Sequence, residues 1–364
     1  MSFRKIFRKS ASAILKKYLS VPEQNKFAID PPARILIIRQ HNQFGDMLAS
    51  VSLFRSIKET YPDAYITLLA SRENFFAVNK NEFLDRVFVF DRRKMTSPGY
   101  IGQLKELLSQ NYDLVIVPVT VAVSITSCLL AAFAKGKIKI GPRSLNNVPN
   151  DYSFVFTHPV DLNWIKYPDA HVSDFILDIV RPFGIKTKNF SSSITFDEPD
   201  KTAASMFLKG VGSGSKDILT IGFHIGAGKP QNKWPVEKFC DLINRMKEDY
   251  RFRFYFTGSS ADEVEISQVR QKYGERAGFF INREIPPLAA LISMSDLFIT
   301  NDTGVMHVAG ATSVPQISIF GPTNPFNWAP IGPSKYFIRK SELINDVSVE
   351  DVLDLVGITL KRLK

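Results

Sequence analysis

Short apolar runs alternate with amphipathic stretches from Arg34 to about residue 140, and the same alternation begins afresh at Ile218. Residues 34–39 (RILIIR) read as a strand buried on both faces, and 46–60 as a helix with Leu48, Val51, Phe54 and Ile57 on one side. Further strands are expected at 65–70, 86–90, 113–118 and 137–140. After the restart, strands are expected at 218–224, 252–257, 278–281, 296–300 and 315–320. Helices are expected near 235–248, 261–273, 286–294 and 303–312, with a helical tail over 348–363. Strand–helix alternation of this kind requires crossover connections, and so parallel sheets covered by helices on both faces. The polar segment 191–217, with Gly210, Gly212 and Gly214, reads as the linker between the two series. The expected fold is therefore α/β, two Rossmann-like domains facing across a cleft, with ligands held at the strands' C-terminal ends. A chain of 364 residues is the right length for two domains. They are expected over 33–190 and 218–345, flanked by a basic extension (1–32) and a C-terminal helix (346–364).

Charge is unevenly placed. The chain carries +10, and residues 1–32 alone hold Arg4, Lys5, Arg8, Lys9, Lys16, Lys17 and Lys26 against Glu23 and Asp30. That concentration points to an anionic partner for the leader, not to a nucleic-acid-binding core. On a helical wheel Phe3, Phe7, Ala11, Ile14 and Tyr18 share one face, opposite Lys5, Lys9 and Lys16. The pattern is that of a helix lying on an anionic membrane through residues 1–20; the alternative is a basic leader with no docking role. Lys16 and Lys17 interrupt any apolar core of a cleaved secretion signal. Residues 114–134 carry no charge and are long enough to span a bilayer, but Pro118, Thr120, Ser124, Thr126 and Ser127 cut them into strand, loop and helix. Cys128 and Cys240 lie far apart outside any metal-binding spacing, so neither a disulfide framework nor structural zinc is expected, and a reducing cytosol fits.

The loops after the strands narrow the chemistry. After the first strand stands Gln40-His41-Asn42-Gln43-Phe44-Gly45-Asp46, with a single glycine where a dinucleotide site needs GxGxxG. HIGAGK (His224 to Lys229) falls short of a P-loop, because Phe223 and Pro230 stand where glycine and Ser/Thr are required. Three constellations remain. Gly45 suits a positive φ, and Asp46 is either a helix cap or a group aimed into the cleft. The turn around Gly226 and Gly228, with Lys229 and Lys233, suits a diphosphate. In TNDTGVMHVAGA, Asp302 can cap a helix whose first N–H groups lie at Thr303 and Gly304, with His307 one turn on.

These residues together resemble glycosyltransferase family nine, the ADP-heptose:lipopolysaccharide heptosyltransferases and their relatives. The similar stretches are ILIIRQHNQFGDMLASVSLFRSIKETYPDAYITLLAS, NKWPVEKFCDLI and ITNDTGVMHVAGATSVPQISIFGPTNPFNWAP, covering residues 33–340 in order. The resemblance implies a GT-B fold with the acceptor domain first and the donor domain second. It implies an inverting, metal-independent transfer from a nucleotide-sugar such as ADP-heptose to a lipopolysaccharide-core or related envelope glycan, with no cofactor. Asp46 corresponds to the catalytic base and Lys233 to the lysine that neutralises the diphosphate. Gly226, Gly228, Asp302, Thr303, Gly304 and His307 fall on the donor side. Gly45, His41 and Gln43 fall on the acceptor side, where Asn42 and Phe44 also depart from the small residues the family carries. The leader 1–32 lies outside the resemblance. The location implied is cytoplasmic, peripheral on the inner membrane. A non-catalytic nucleotide-sugar or membrane-binding scaffold, and a GT-B-type sugar-nucleotide epimerase, remain alternatives.

Overall fold

The computed structural model describes residues 12–40, 44–212 and 218–362, which fall into two compact units, Met1–Phe190 and Ser191–Lys364. The first contains α1 (residues 12–19), β1 (Arg34–Arg39), α2 (Phe44–Ala49), α3 (Val51–Thr60), β2 (Tyr65–Ser71), β3 (Arg86–Phe90), α4 (Pro98–Ser109), β4 (Tyr112–Ile116), α5 (Ile125–Phe133), β5 (Gly136–Leu145), β6 (Val148–Pro149), β7 (His158–Leu162) and α6 (Val172–Phe175). Its sheet runs β3-β2-β1-β4-β5, and the long β5 is continued by parallel β7 and a short antiparallel β6. Ile35 to Ile38 are fully buried, as a central parallel strand covered on both faces must be. Leu36 and Ile38 pack in one apolar cluster with Leu104 and Leu107 of α4 and Cys128 and Ala131 of α5.

Three local features depart from the pattern expected. The helix expected over 46–60 is broken at Ser50, whose hydroxyl donates to the Asp46 carbonyl (2.7 Å) and accepts from Arg39 Nε (3.1 Å). A serine bonding back four residues competes with the helical ladder and bends it. Second, α4 gives no clear sequence signal because Gly99 and Gly102 weaken it. Third, the leader is not a detached extension where it is described. Leu15 and Leu19 pack on the first unit's core, and Ser12 Oγ donates to the Asp151 carbonyl (2.7 Å). Beyond α1, Val21 N bonds Phe154 O, Gln24 N bonds Thr157 O, and Glu23 pairs with Arg143. Phe3, Phe7 and Ala11 of the expected stripe lie outside the described residues.

The second unit contains α7 (Glu198–Lys209), β8 (Leu219–His224), α8 (Val236–Asp249), β9 (Phe252–Gly258), α9 (Glu263–Tyr273), β10 (Gly278–Ile281), α10 (Ile285–Ser293), β11 (Leu297–Asn301), α11 (Gly304–Gly310), β12 (Gln316–Ile319), α12 (Pro325–Trp328), β13 (Lys335–Ile338) and α13 (Val349–Lys361). Its sheet is parallel throughout, in the order β10-β9-β8-β11-β12-β13. The segment 191–217, expected as a linker, belongs to this unit and contains α7. An Asp197/Asp200 capping box starts that helix, and Phe207 packs edge-on against Tyr255 and Phe280. Polar composition hid it, because only Asp200, Ala204 and Leu208 of its twelve residues are buried. The tail helix α13 is likewise part of the core, through Val349, Val352, Val356 and Leu360. Strand β13 went unseen because it is a half-buried edge.

In both units the strand order reverses beside the first strand: β1 lies between β2 and β4, and β8 between β9 and β11. Connections leave such a point in opposite directions and leave a crevice at the strands' C-terminal ends. Gly222 shows how tightly the second sheet is filled. It sits in register between Tyr255 and Phe298, and a β-carbon there would meet the Tyr255 hydroxyl and the Phe298 ring at 2.5 Å. Gly222→Ala is expected to destabilise the chain by about 1–3 kcal/mol through overpacking, read as a lower urea midpoint with unchanged slope.

Candidate functional site

Each switch point carries a cluster of polar side chains buried well beyond what loops normally allow. In the first unit Arg39 ends β1, Asp46 lies in the first turn of α2, and Thr120 follows β4. Arg39 Nη2 donates to Thr120 Oγ1 (2.9 Å), Thr120 Oγ1 donates to Asp46 Oδ1 (3.2 Å), and Arg39 Nη2 stands 3.9 Å from Asp46 Oδ1. Trp164 Nε1 donates to the Thr120 carbonyl (2.6 Å), fixing that loop from the far side. Arg39 and Asp46 are 3% and 2% exposed. Burial pulls the Arg39 guanidinium below its ordinary value, and attraction to Asp46 offsets part of that. Asp46 is therefore neither an N-cap nor a solvated surface acid; it is a carboxylate set against a buried cation and a hydroxyl. Gly45 sits in the same helical turn, and the described glycines with positive φ are Gly184, Gly212 and Gly274. His41 and Gln43 lie outside the described residues.

The second unit's cluster is built on Asn301, the last residue of β11 and fully buried. Its Nδ2 donates to the carbonyls of Ile225 (3.0 Å) and Gly226 (3.2 Å), and its Oδ1 accepts from Trp234 N (3.1 Å). One amide thus staples both ends of the 225–234 loop to the switch point. Trp234 anchors it further, donating from Nε1 to Val347 O (2.9 Å) and packing on Phe239. Gly226 is required by close approach, since a β-carbon would meet the Asp262 carboxylate at 2.4 Å, whereas Gly228 faces open space.

Lys233 is not a free cation. Its Nζ lies 2.7 Å from Glu265 Oε1 and 3.5 Å from Asp262 Oδ1. Burial works against its charge, but the two carboxylates outweigh it and raise the pKa. The exposed lysine of the loop is Lys229. Asp302 does not cap α11, whose N-cap position is Thr303. Its carboxylate instead accepts from Asn232 Nδ2 (2.9 Å) and from Thr323; burial raises its pKa, against the pull of Thr323 and Lys229. Gly304 opens α11, and His307 lies half-buried one turn on, edge-on to Trp328 (6.4 Å between ring centroids). The structure therefore brings Gly226, Asp302, Thr303, Gly304 and His307 to one edge of one sheet, and Asp46 to the corresponding edge of the other. Sequence reasoning missed Arg39, Thr120, Asn232, Asp262, Glu265 and Asn301. Arg39 alone gave a signal, a charge closing an otherwise apolar strand. Among the described residues no group of three or more His, Cys, Asp or Glu could hold a metal ion, and no helix is long and apolar enough to cross a membrane.

Two outcomes follow from the buried charges. Arg39→Met should destabilise the chain by about 3 kcal/mol, because it leaves Asp46 buried without its counter-charge; thermal unfolding measures this. His224 is buried, hydrogen-bonded through Nδ1 to Thr257 Oγ1 (2.9 Å), and burial holds its pKa down to about 4, against the opposing pull of Asp262. A depressed folded pKa contributes stability that is complete above the unfolded value of about 6.5 and is lost as pH falls towards 4. Between those pH values His224→Asn should flatten the fall in unfolding free energy by on the order of 2–3 kcal/mol, read from urea midpoints against pH.

The family model for glycosyltransferase family 9 (heptosyltransferase) matches residues 102–354. Lipopolysaccharide heptosyltransferase 3 of Escherichia coli is 24% identical over 297 residues, covering 79% of this chain and 82% of that one. Lipooligosaccharide heptosyltransferase 2 of Haemophilus influenzae is 25% identical, covering 82% and 86%. Among solved structures, a family 9 glycosyl transferase from Veillonella parvula superposes with a TM-score of 0.79 at 20% identity, covering 93% of this chain and all of that one. The ADP-heptose lps heptosyltransferase II of E. coli does so with 0.73 at 19%, covering 90% and 99%. An E. coli heptosyltransferase solved with ADP gives 0.69 at 16%, again covering 90% and 99%. The shared fold is GT-B.

Proposed function

The chain belongs to glycosyltransferase family 9, and on that premise we propose that it transfers heptose from ADP-heptose to a lipopolysaccharide-core or related envelope glycan, with inversion and without a metal ion. The relatives' names support the sugar and the acceptor class. The observation that carries the mechanism is Asp46, held beside Arg39 and Thr120 at the first unit's switch point. The acceptor hydroxyl oxygen bonds to the anomeric carbon as the bond from that carbon to the diphosphate oxygen breaks, and Asp46 takes the hydroxyl proton. Arg39 and Thr120 orient the buried carboxylate.

The nucleoside diphosphate leaves with added negative charge, which the second unit meets. The first turn of α11 at Thr303 and Gly304, His307 and the Gly226–Gly228 turn are the donor contacts. Lys229 supplies an exposed cation. Lys233, clamped by Glu265 and Asp262, holds the loop in shape and adds charge at longer range. Asn232 and Asp302, joined by a hydrogen bond, form one wall of the donor site. The reading places the chain in the cytoplasm, peripheral on the inner membrane.

Asp46→Asn keeps the side chain's shape and its place beside Thr120 but removes the base. Turnover per folded molecule should fall by about 10²–10⁴ with donor affinity unchanged; turnover near wild type would end the assignment. Lys229→Ala should weaken donor binding about tenfold, as expected for one charge-assisted contact, by calorimetry with the non-reacting nucleoside diphosphate. Lys233→Ala should instead lower the melting temperature first, since it leaves Asp262 and Glu265 without their cation. Full turnover in excess chelator is the expected outcome for a reaction that uses no metal.

A further inference from the structure

The edge of the first sheet that carries Asp46 carries a second feature. β7 runs parallel to β5, β5 to β4 and β4 to β1, so the loop after β7 leaves the sheet on the same side as the loop after β1. That loop, residues 163–171, is held at several points. Trp164 N donates to Asn146 Oδ1 (2.7 Å), and Ile165 N to Asn163 Oδ1 (2.9 Å). Trp164 Nε1 donates to the carbonyl of Thr120, whose hydroxyl bonds Asp46. Tyr167 N donates to Trp164 O (3.0 Å) and Ala170 N to Tyr167 O (2.9 Å). The backbone of Tyr167 is thus fixed on both sides, while the residue itself is 67% exposed.

Tyr167 lines a groove of about 690 Å³ together with Asp169, Asp174, Phe175, Asp178 and Arg181. Small-molecule sites occupy roughly 300–1,000 Å³. Phe175 is 3% exposed, and its ring centroid lies 4.2 Å from that of Trp164. Ser52 of α3 donates to the Ser173 carbonyl (2.6 Å), which ties α6, the helix of Asp174 and Phe175, to the one that follows α2. Direct contacts therefore run from Asp46 through Thr120 and Trp164 to the groove. Its charge is unusual for a chain of +10, since three carboxylates line it against two cations, Lys166 and Arg181. Arg181 is already paired with Asp174 and Asp178.

We propose that this groove binds an uncharged sugar ring of the acceptor glycan, with Tyr167 as the stacking face; the acceptor role rests on the proposed transfer. An exposed aromatic ring beside carboxylates suits a pyranose, whose C–H bonds meet the negative ring face and whose hydroxyls donate to carboxylate oxygens. A phosphate or carboxylate on that sugar would meet like charges, so the groove selects against it. Because the turn is fixed beforehand, little freedom is lost when the ring is covered. Tyr167 sets acceptor affinity and choice and takes no proton.

The test is saturation-transfer NMR on the full chain, with ADP in excess to occupy the donor site. The probes are the methyl glycosides of glucose, galactose and mannose, each beside its hexose 6-phosphate. At least one methyl glycoside should receive saturation and the phosphates should not. Tyr167→Ala should remove the signal, and Tyr167→Phe, which keeps the aromatic face, should retain it. With ADP-heptose and delipidated lipopolysaccharide core oligosaccharide, Tyr167→Ala should raise the acceptor KM about three- to tenfold. The turnover number, donor KM and melting temperature should stay at wild-type values, because the exposed ring supports no core packing. Silence from all three methyl glycosides, preference for a phosphate, a signal that survives Tyr167→Ala, or an unchanged acceptor KM overturns the proposal. Failure of the transfer reading would appear separately, as turnover surviving Asp46→Asn while Tyr167→Ala still abolishes the sugar signal.

Discussion

Everything else in this chain depends on a constraint of parallel sheets. A central strand buried on both faces can exchange hydrogen bonds with neighbours on each side, but the connections that return the chain must leave in opposite directions where the strand order reverses. At β1/β4 and at β8/β11 that reversal leaves a crevice at the strands' C-terminal ends, where loop side chains converge. Elsewhere the sheets are sealed, to the point that Gly141 and Gly222 have no room for a β-carbon beside Phe156, Tyr255 and Phe298. The proposed chemistry sits at these two switch points.

Polar groups at such a place are stable only when paired, and the two units solve this differently. In the first, one cation, one carboxylate and a hydroxyl are sunk together, so that Asp46 is oriented by its own neighbours. Its burial strengthens every interaction it makes and makes the loss of any partner costly. In the second, the loop's own carboxylates hold Lys233, and a single buried amide, Asn301, joins the 225–234 loop to the strand end. A lysine already matched by Glu265 and Asp262 shapes the site, while the exposed Lys229 keeps its charge free of so close a clamp.

Much of this was legible residue by residue. The runs at 34–39, 65–70, 218–224 and 296–300 announce strands because they are apolar on both faces, and Asp46, Asp302 and His307 stand out because they follow such runs directly. Other parts were hidden for physical reasons. Helix α7 buries so little of its surface that its composition reads as a linker, and Ser50 breaks a helix whose periodicity runs straight through it. Lys233 looked like a solvated cation because its partners lie in α9 and just before it, some thirty residues on.

The amino-acid order alone determined two series of buried strands, the loops that end them and the acids and glycines in those loops, because hydrophobic periodicity and glycine placement are local properties. Which charges meet was decided only by the folded chain. Arg39 and Thr120 are 81 residues apart, and Asn232 and Asp302 are 70 apart, yet each pair shares a hydrogen bond because adjacent strands end at one edge. The same holds for α1, where the wheel marks the face of Ile14 and Tyr18 as the apolar one but it is Leu15 and Leu19 that pack on the core. Pairings of this kind are fixed by strand register and by the cost of leaving a charge buried alone, and neither is a property of any single segment.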